Sequence, residues 1–212
     1  MGFYAKHVLP RVIDLVMRDK ETTRIRADVI PRARGVVLEV GIGSGLNLPF
    51  YSASVSRVYG VDPSLELQQM ARKRSATAPV GVAFLAQTAE ERLPLDDHSI
   101  DTIVMTWTLC SIPDASKALQ QVKRVLKPTG QLIFVEHGLA PDVGVKSWQK
   151  RINPIWKRIA GGCNLNRKID DLIGAADFEI IELTTTYLSR PRPLTYTYQG
   201  VGQLKAARHR GI

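Results

Sequence analysis

The stretch Val36-Val-Leu-Glu-Val-Gly-Ile-Gly-Ser-Gly-Leu-Asn47 constrains the fold more than any other part of the chain. Residues 36–40 have the apolar, β-branched bias of a buried strand. They run directly into glycines at alternate positions, Gly41, Gly43 and Gly45, with Glu39 two residues ahead of the first. A second short apolar run, Arg57-Val-Tyr-Gly-Val61, ends in Asp62-Pro63-Ser64. A strand, a glycine turn, a helix and a second strand closed by an acid make up one half of a nucleotide-binding α/β sheet. Glycine lets the backbone turn tightly and lie against a ligand with no Cβ in the way. An aspartate at the end of the second strand can accept hydrogen bonds from both hydroxyls of a ribose.

The rest of the chain continues that rhythm. Residues 4–17 read as an amphipathic helix carrying Val8, Ile13, Leu15 and Val16, with Pro10 interrupting it. A helix is predicted over about 22–30, a short one after the glycine turn as far as Pro49, and one from Ser64 through Arg74. Strands are predicted at 82–86 and 100–107. A helix over 114–126 has Asp114 as its N-cap, and Pro128-Thr129-Gly130 ends it before a strand at 131–136. Residues 146–160 present Trp148, Ile152, Ile155, Trp156 and Ile159 as an apolar stripe, with Pro154 expected to kink that helix. A helix over 166–175 precedes terminal strands at 178–183 and 195–203. Strands alternating with helices imply a Rossmann-like, doubly wound α/β sheet. We divide the chain into an N-terminal helical segment (1–34), a main domain (35–205) and a basic tail (206–212).

A chain of 212 residues suits one α/β domain, and its 44% hydrophobic content is ordinary for a globular protein. No apolar run approaches the roughly 20 residues that span a bilayer. Cys110 and Cys163 give neither a disulfide framework nor, by spacing, a metal-ligand motif. The expectation is a reduced, cytoplasmic chain with no metal. The net charge of +9 favours anionic partners. It gathers at Arg24, Arg26, Arg32 and Arg34, at Arg72-Lys-Arg74, across 146–158, and in Lys205, Arg208, His209 and Arg210.

The glycine spacing separates cofactors. Dinucleotide folds use G-x-G-x-x-G at a helix N-terminus, whereas this chain has E-x-G-x-G-x-G. An acid ahead of the loop repels a pyrophosphate and suits a cationic amino-acid head. The pattern resembles the first motif of the class I S-adenosylmethionine (SAM) methyltransferases. Over about 36–199, the phrases T-L-C-S-I-P, R-V-L-K-P-T-G, E-H and G-C-N-L also resemble bacterial relatives of the type 11 methyltransferases near the vertebrate microsomal alkyl-thiol methyltransferases. The vertebrate enzymes carry a long apolar N-terminal anchor; residues 1–34 hold no such stretch, so a membrane-resident role is not expected from them.

The resemblance implies a sheet of about seven strands whose last runs antiparallel, with the N-terminal helices as a lid. It implies SAM as cofactor and S-adenosylhomocysteine as product. Glu39, Gly41, Gly43 and Gly45 would face the methionine portion, and Asp62 and Pro63 the ribose. Thr88 and Ala89 fall where the family contacts adenine, without its usual acid; Gln87 is an alternative, and Glu90 reads equally well as a helix-start residue. Thr106 would lie near the reacting methyl. His137 is a candidate general base for an acidic acceptor. Cys110 reads as a small buried residue.

Base methylation is disfavoured: the N-P-P-Y motif is absent, and Cys110 follows Leu109 rather than a proline. That leaves three readings open: methyl transfer to a small lipophilic acceptor such as a thiol, methylation of a phospholipid amine or quinone precursor at an anionic membrane surface, or SAM binding without catalysis. Nucleic acid is an unlikely partner under all three.

Overall fold

The computed structural model describes residues 4–206, with the backbone alone at 5 and 6. Arg208, His209 and Arg210 of the basic tail lie outside the described residues. A π-helical turn over Tyr4–Val8 leads into α1 (Leu9–Val16). The single helix expected over 4–17 is therefore two pieces. Pro10 sits in the first turn of α1, where its missing N–H costs nothing. α2 (Lys20–Val29) begins at Asp19, whose side chain accepts the N–H groups of Glu21 and Thr22.

A seven-stranded sheet follows, built from β1 (Gly35–Val40), β2 (Val55–Val61), β3 (Val82–Leu85), β4 (Ile100–Thr106), β5 (Leu126–His137), β6 (Phe178–Tyr187) and β7 (Tyr196–Leu204). Its order is β3-β2-β1-β4-β5-β7-β6. The pairs β1–β2, β1–β4, β2–β3 and β4–β5 are parallel, and β7 runs antiparallel to both its neighbours, as the resemblance implied. The helices α3 (Leu65–Ser75), α4 (Ala115–Val125), α5 (Val143–Ile159) and α6 (Ile169–Ala175) complete the chain.

Side chains alternate through the central strands into two cores, the signature of a sheet covered on both faces. Leu38, Val40, Ile103, Met105, Leu132 and Phe134 join the apolar faces of α4 and α6 on one side. Val37, Val104, Ile133 and Val135 join Val29, Ile30, Leu48 and Tyr51 on the other. The N-terminal segment thus supplies core to the main domain. Among the described residues no helix is long and apolar enough to cross a membrane.

Four local expectations need correction. The helix expected after the glycine loop is a single 3-10 turn, Leu48–Phe50, because the chain turns Tyr51 back toward β1. Glu90 lies in a turn and starts no helix; its Oε1 accepts the Asp114 N–H at 2.6 Å, so it works at the start of α4. The segment Pro128-Thr129-Gly130 is a bulge within β5: Ile100 pairs with Leu126, but Thr102 pairs with Gln131. The helix expected over 166–175 is shorter, since Asn164 and Arg167 spend their side chains on the preceding β4 loop.

Close backbone packing between β6, β7 and β5 sets a testable limit. A Cβ added at Gly200 would sit 2.2 Å from the Glu182 carbonyl oxygen and 2.7 Å from Phe134 Cζ, whereas at Gly174 in α6 nothing lies within 4 Å. Gly200→Ala should lower stability by about 1–3 kcal/mol through overpacking. Gly174→Ala should raise it by about 0.5–1 kcal/mol through helix propensity. Urea unfolding of both variants checks the pair, and a neutral Gly200→Ala contradicts the packing.

Candidate functional site

The carboxyl ends of β1, β2, β4 and β5 come together, and each contributes a polar group. After β1 the backbone folds back on β2: the N–H groups of Gly41 and Ile42 both donate to the Val61 carbonyl, at 2.7 and 3.1 Å. Gly41 has φ +72°, and a Cβ there would lie 2.1 Å from Thr108 Oγ1. Gly43 has φ +55° and no atom closer than 3.8 Å to an added Cβ, so its outer face is open.

Asp62 closes the other side of the loop. One carboxylate oxygen accepts the Gly43 N–H at 3.0 Å and the other the Ser64 N–H at 2.8 Å. Burial raises its pKa, opposed by those two N–H groups. Each oxygen retains a lone pair for a further donor. Pro63 sits between Asp62 and the Ser64 cap of α3. Gln68, which the sequence did not single out, donates to the carbonyls of Asp62 and Leu85 and ties β2 to β3. Thr88 and Ala89 follow β3 in an irregular turn, with Ala89 buried in the core. Gln87, the alternative, donates to the Arg92 carbonyl.

Glu39 is 1% exposed. Its two oxygens accept from Asn47 Nδ2 and Tyr51 Oη, both at 2.8 Å. Asn47 also donates to Thr106 Oγ1 at 3.0 Å and accepts from Arg26 Nε at 3.1 Å. Arg26, read from the sequence as one of a basic surface cluster, is buried and lies over the Trp107 ring at 4.7 Å. Its charge is needed inside, opposite Glu39. Burial pushes the Glu39 pKa up to about 7, against its bonds from Tyr51 and Asn47 and the Arg26 charge. Burial likewise brings Arg26 down to about 10, which leaves it protonated at neutral pH.

The second half of the site forms around Glu136, at the end of β5. Its carboxylate is fully buried and accepts the N–H groups of Thr108, Leu109 and Cys110 at 2.8–3.0 Å. The loop between α5 and α6 grips the same segment. Asn164 donates to the Cys110 carbonyl from its backbone and side chain, and Arg167 donates to the carbonyls of Leu109, Ile112 and Pro113. Sequence reasoning missed the parts played by Glu136, Asn164 and Arg167; an acid closing the apolar run of β5 was the one available signal.

This clamp brings Cys110, His137 and Cys163 together. Cys163 Sγ lies 3.7 Å from Cys110 Sγ and 3.7 Å from His137 Nδ1. The bond with Cys163 and complete burial push the Cys110 thiol pKa up, whereas the same bond, helped by Trp156, holds the Cys163 pKa down. Cys110 is buried, as expected, but it does not sit among apolar groups alone. The N-terminal segment reaches over both halves. Tyr4 Oη donates to the Ile159 carbonyl at 3.1 Å, a Cβ at Gly161 would meet Ile13 at 3.2 Å, and Arg74 bonds both Asp14 and the Ser44 carbonyl.

The chain is similar to known proteins in sequence and fold. A family model described as a methyltransferase domain fits residues 38–134. A thiol S-methyltransferase, TMT1B, of Rattus norvegicus is 36% identical over 69% of this chain and 61% of its own length. A phosphatidylethanolamine N-methyltransferase of Cereibacter sphaeroides is 35% identical over 58% of this chain and 61% of its own. This chain therefore spans less than two thirds of either relative. The crystal structure of the YcgJ protein from Bacillus subtilis shares the fold, with a TM-score of 0.66 at 19% identity over 87% of this chain and 98% of that one.

The raised pKa of Glu39 has a consequence for stability. A carboxyl whose pKa is about 4.5 unfolded and about 7 folded stabilises the fold fully below the first value, and that contribution is lost as pH rises through the second. Between those values the native protein should lose up to about 3 kcal/mol relative to Glu39→Gln, which stays neutral. Denaturant unfolding of both proteins at pH 5 and pH 8 measures the difference. A gap that does not change with pH overturns it.

Proposed function

The chain carries a class I SAM-dependent methyltransferase domain, and on that premise we propose that the whole protein methylates a small lipophilic acceptor, with a thiol as the acceptor best supported. SAM supplies an electrophilic methyl group on a sulfonium and leaves as S-adenosylhomocysteine. The residues present fit it: Gly43 is open and left-handed, and Asp62 stands beside it with lone pairs to spare. Gly41, Gly43 and Gly45 then cradle the methionine portion, Asp62 and Pro63 take the ribose, and Thr88 and Ala89 the adenine. Thr106 and Asn47 line the floor, with Glu39 holding Asn47 in place beneath the methionine portion.

The observation that carries the acceptor is the sulfur- and imidazole-lined end of β4 and β5. Glu136, consumed by three backbone N–H groups, offers no open carboxylate there to hold an ammonium group. Direct displacement needs positioning and exclusion of water more than a strong catalytic base. A thiol that is protonated at working pH must still lose its proton, and His137 stands where this can be assisted.

A second reading, methylation of a phospholipid or quinone precursor at a membrane surface, has its own support. Leu15 and Val16 of α1, and Trp148, Ile155 and Ile159 of α5, are exposed, and α5 also carries Lys150, Arg151, Lys157 and Arg158. Apolar side chains among basic ones suit an anionic interface.

Three measurements test these assignments. Asp62→Ala should weaken SAM binding by about 1–3 kcal/mol, the scale for losing a charged acceptor; unchanged calorimetric affinity sinks the ribose assignment. His137→Ala should lower thiol turnover more at pH 7 than at pH 9, where more of the thiol ionises unaided; equal losses make His137 structural. Sedimentation with anionic vesicles at physiological salt, together with turnover of lipid amines but not thiols, would replace the first reading with the second.

A further inference from the structure

Three ligating side chains converge from separate parts of the chain: Cys110 from the loop after β4, His137 from the end of β5, and Cys163 from the loop between α5 and α6. Their sulfur and nitrogen atoms all lie within 4.8 Å of one another. A tetrahedral zinc ion, with bonds of about 2.3 Å to sulfur and 2.0–2.1 Å to nitrogen, needs S···S edges of about 3.8 Å and S···N edges of about 3.6 Å. The two shortest edges here are both 3.7 Å. Two sulfurs and an imidazole select a soft or borderline divalent cation over magnesium or calcium. Three protein ligands with a fourth position left over is the composition of a catalytic zinc site.

The framework is built to hold these atoms still. Glu136 fixes the backbone that carries Cys110 through three N–H groups, and Asn164 fixes it again from the opposite side. Gly162 has φ +91°, and a Cβ there would meet the Ser111 carbonyl at 2.9 Å, so Cys163 is carried in against the β4 loop. The indole of Trp156 packs against the same cysteines, and its buried N–H is directed to Cys163, where it suits a metal-bound thiolate as acceptor. Cys110 is sealed, Cys163 nearly so and His137 only partly buried, which leaves the imidazole side for an incoming ligand.

We propose that Cys110, His137 and Cys163 bind a thiophilic divalent cation, zinc by its chemistry, whose fourth ligand is the sulfur of the acceptor thiol. The role in transfer rests on the thiol reading above; the metal site stands without it. The acceptor R–SH gives its proton to solvent as its sulfur–metal bond forms, so in this scheme His137 assists the loss of the proton as a metal ligand and not as the base itself. A sulfur lone pair then forms the new C–S bond to the methyl carbon as the old C–S⁺ bond breaks and its electrons return to the departing sulfur. The neutral thioether is a poor ligand and leaves. The balance is R–SH plus sulfonium cofactor giving R–S–CH₃, S-adenosylhomocysteine and a proton. Two thiolates and a neutral imidazole cancel the charge of the cation, so the site is neutral before the acceptor binds; the bound acceptor thiolate adds one negative charge, which the positive sulfonium opposes until the methyl group is transferred.

The test begins with chelator-stripped full-length protein titrated with zinc against a chromophoric chelator, and with cobalt(II) under anaerobic conditions. One zinc per chain and a near-ultraviolet sulfur-to-cobalt band are expected. Cys163→Ser and His137→Ala should each weaken zinc binding at least about a hundredfold while leaving SAM affinity, measured calorimetrically, unchanged. That affinity also reports whether each variant is folded. Adding an alkyl thiol to the cobalt protein should shift its visible bands. Failure to bind zinc, or loss of two hydrogens as a Cys110–Cys163 disulfide in its place, overturns the metal site. Thiol methylation persisting in zinc-free protein overturns the metal's role and leaves the thiol reading intact. Zinc binding without any thiol turnover supports the site and overturns the thiol reading.

Discussion

A single sealed carboxylate at the end of β1 organises half of this molecule. Glu39 has no access to water, so every lone pair it exposes to the interior must be met. Asn47 meets one oxygen and Tyr51 the other. These demands draw the chain back after the glycine turn and leave room only for a 3-10 turn. Asn47 then spreads the constraint to Thr106 on β4 and to Arg26 in α2. A buried charge of one sign calls in a buried charge of the other, and so the N-terminal segment is fastened to the loop that follows β1.

Glu136 repeats the device at the end of β5 with backbone donors in place of side chains. Three successive N–H groups turned toward one carboxylate fix a loop that would otherwise need water. Cys110 is then presented at a set angle, and the loop after α5 closes against its carbonyl. The two halves have different jobs. The β1–β2 side is polar, glycine-rich and open at Gly43, whereas the β4–β5 side is tight and soft in its donors.

How far the sequence foretold this depended on whether the information was local. The glycine turn is set within its own few residues, as are Asp62 and the Ser64 cap two residues on, and the two pieces are joined by a Gly43–Asp62 bond across 19 residues that the strand–turn–strand pattern foretold. The alternation of the central strands is equally local, and it yielded the sheet. Arg26 misled because charge read residue by residue points to solvent, and only the tertiary fold reveals Glu39 behind it. Cys110, His137 and Cys163 were each visible, but nothing in their spacing brings them together. Their meeting depends on β4 and β5 being neighbours and on the clamp of Asn164 and Arg167. The bulge at Pro128-Thr129-Gly130 was mistaken for a helix stop, since proline and glycine punctuate both kinds of break.

The strand order has a consequence for how the protein is made. Of the seven strands of this sheet β1 is synthesised first, and it ends inside the sheet, between β2 and β4. Its partner on one side follows soon after, but its partner on the other side is synthesised only after β2, α3 and β3. At ribosomal speeds the nascent chain waits seconds with one edge of β1 bare. That edge is flat and hydrophobic, and it offers unpaired N–H and C=O groups to any passing strand. Asp101, whose side chain accepts the Val36 N–H at 2.9 Å, arrives with β4 itself and gives no cover in the interval. The glycine-bearing stretch after residue 35 thus leads out of a strand that stays unpaired on one side until β4 is made.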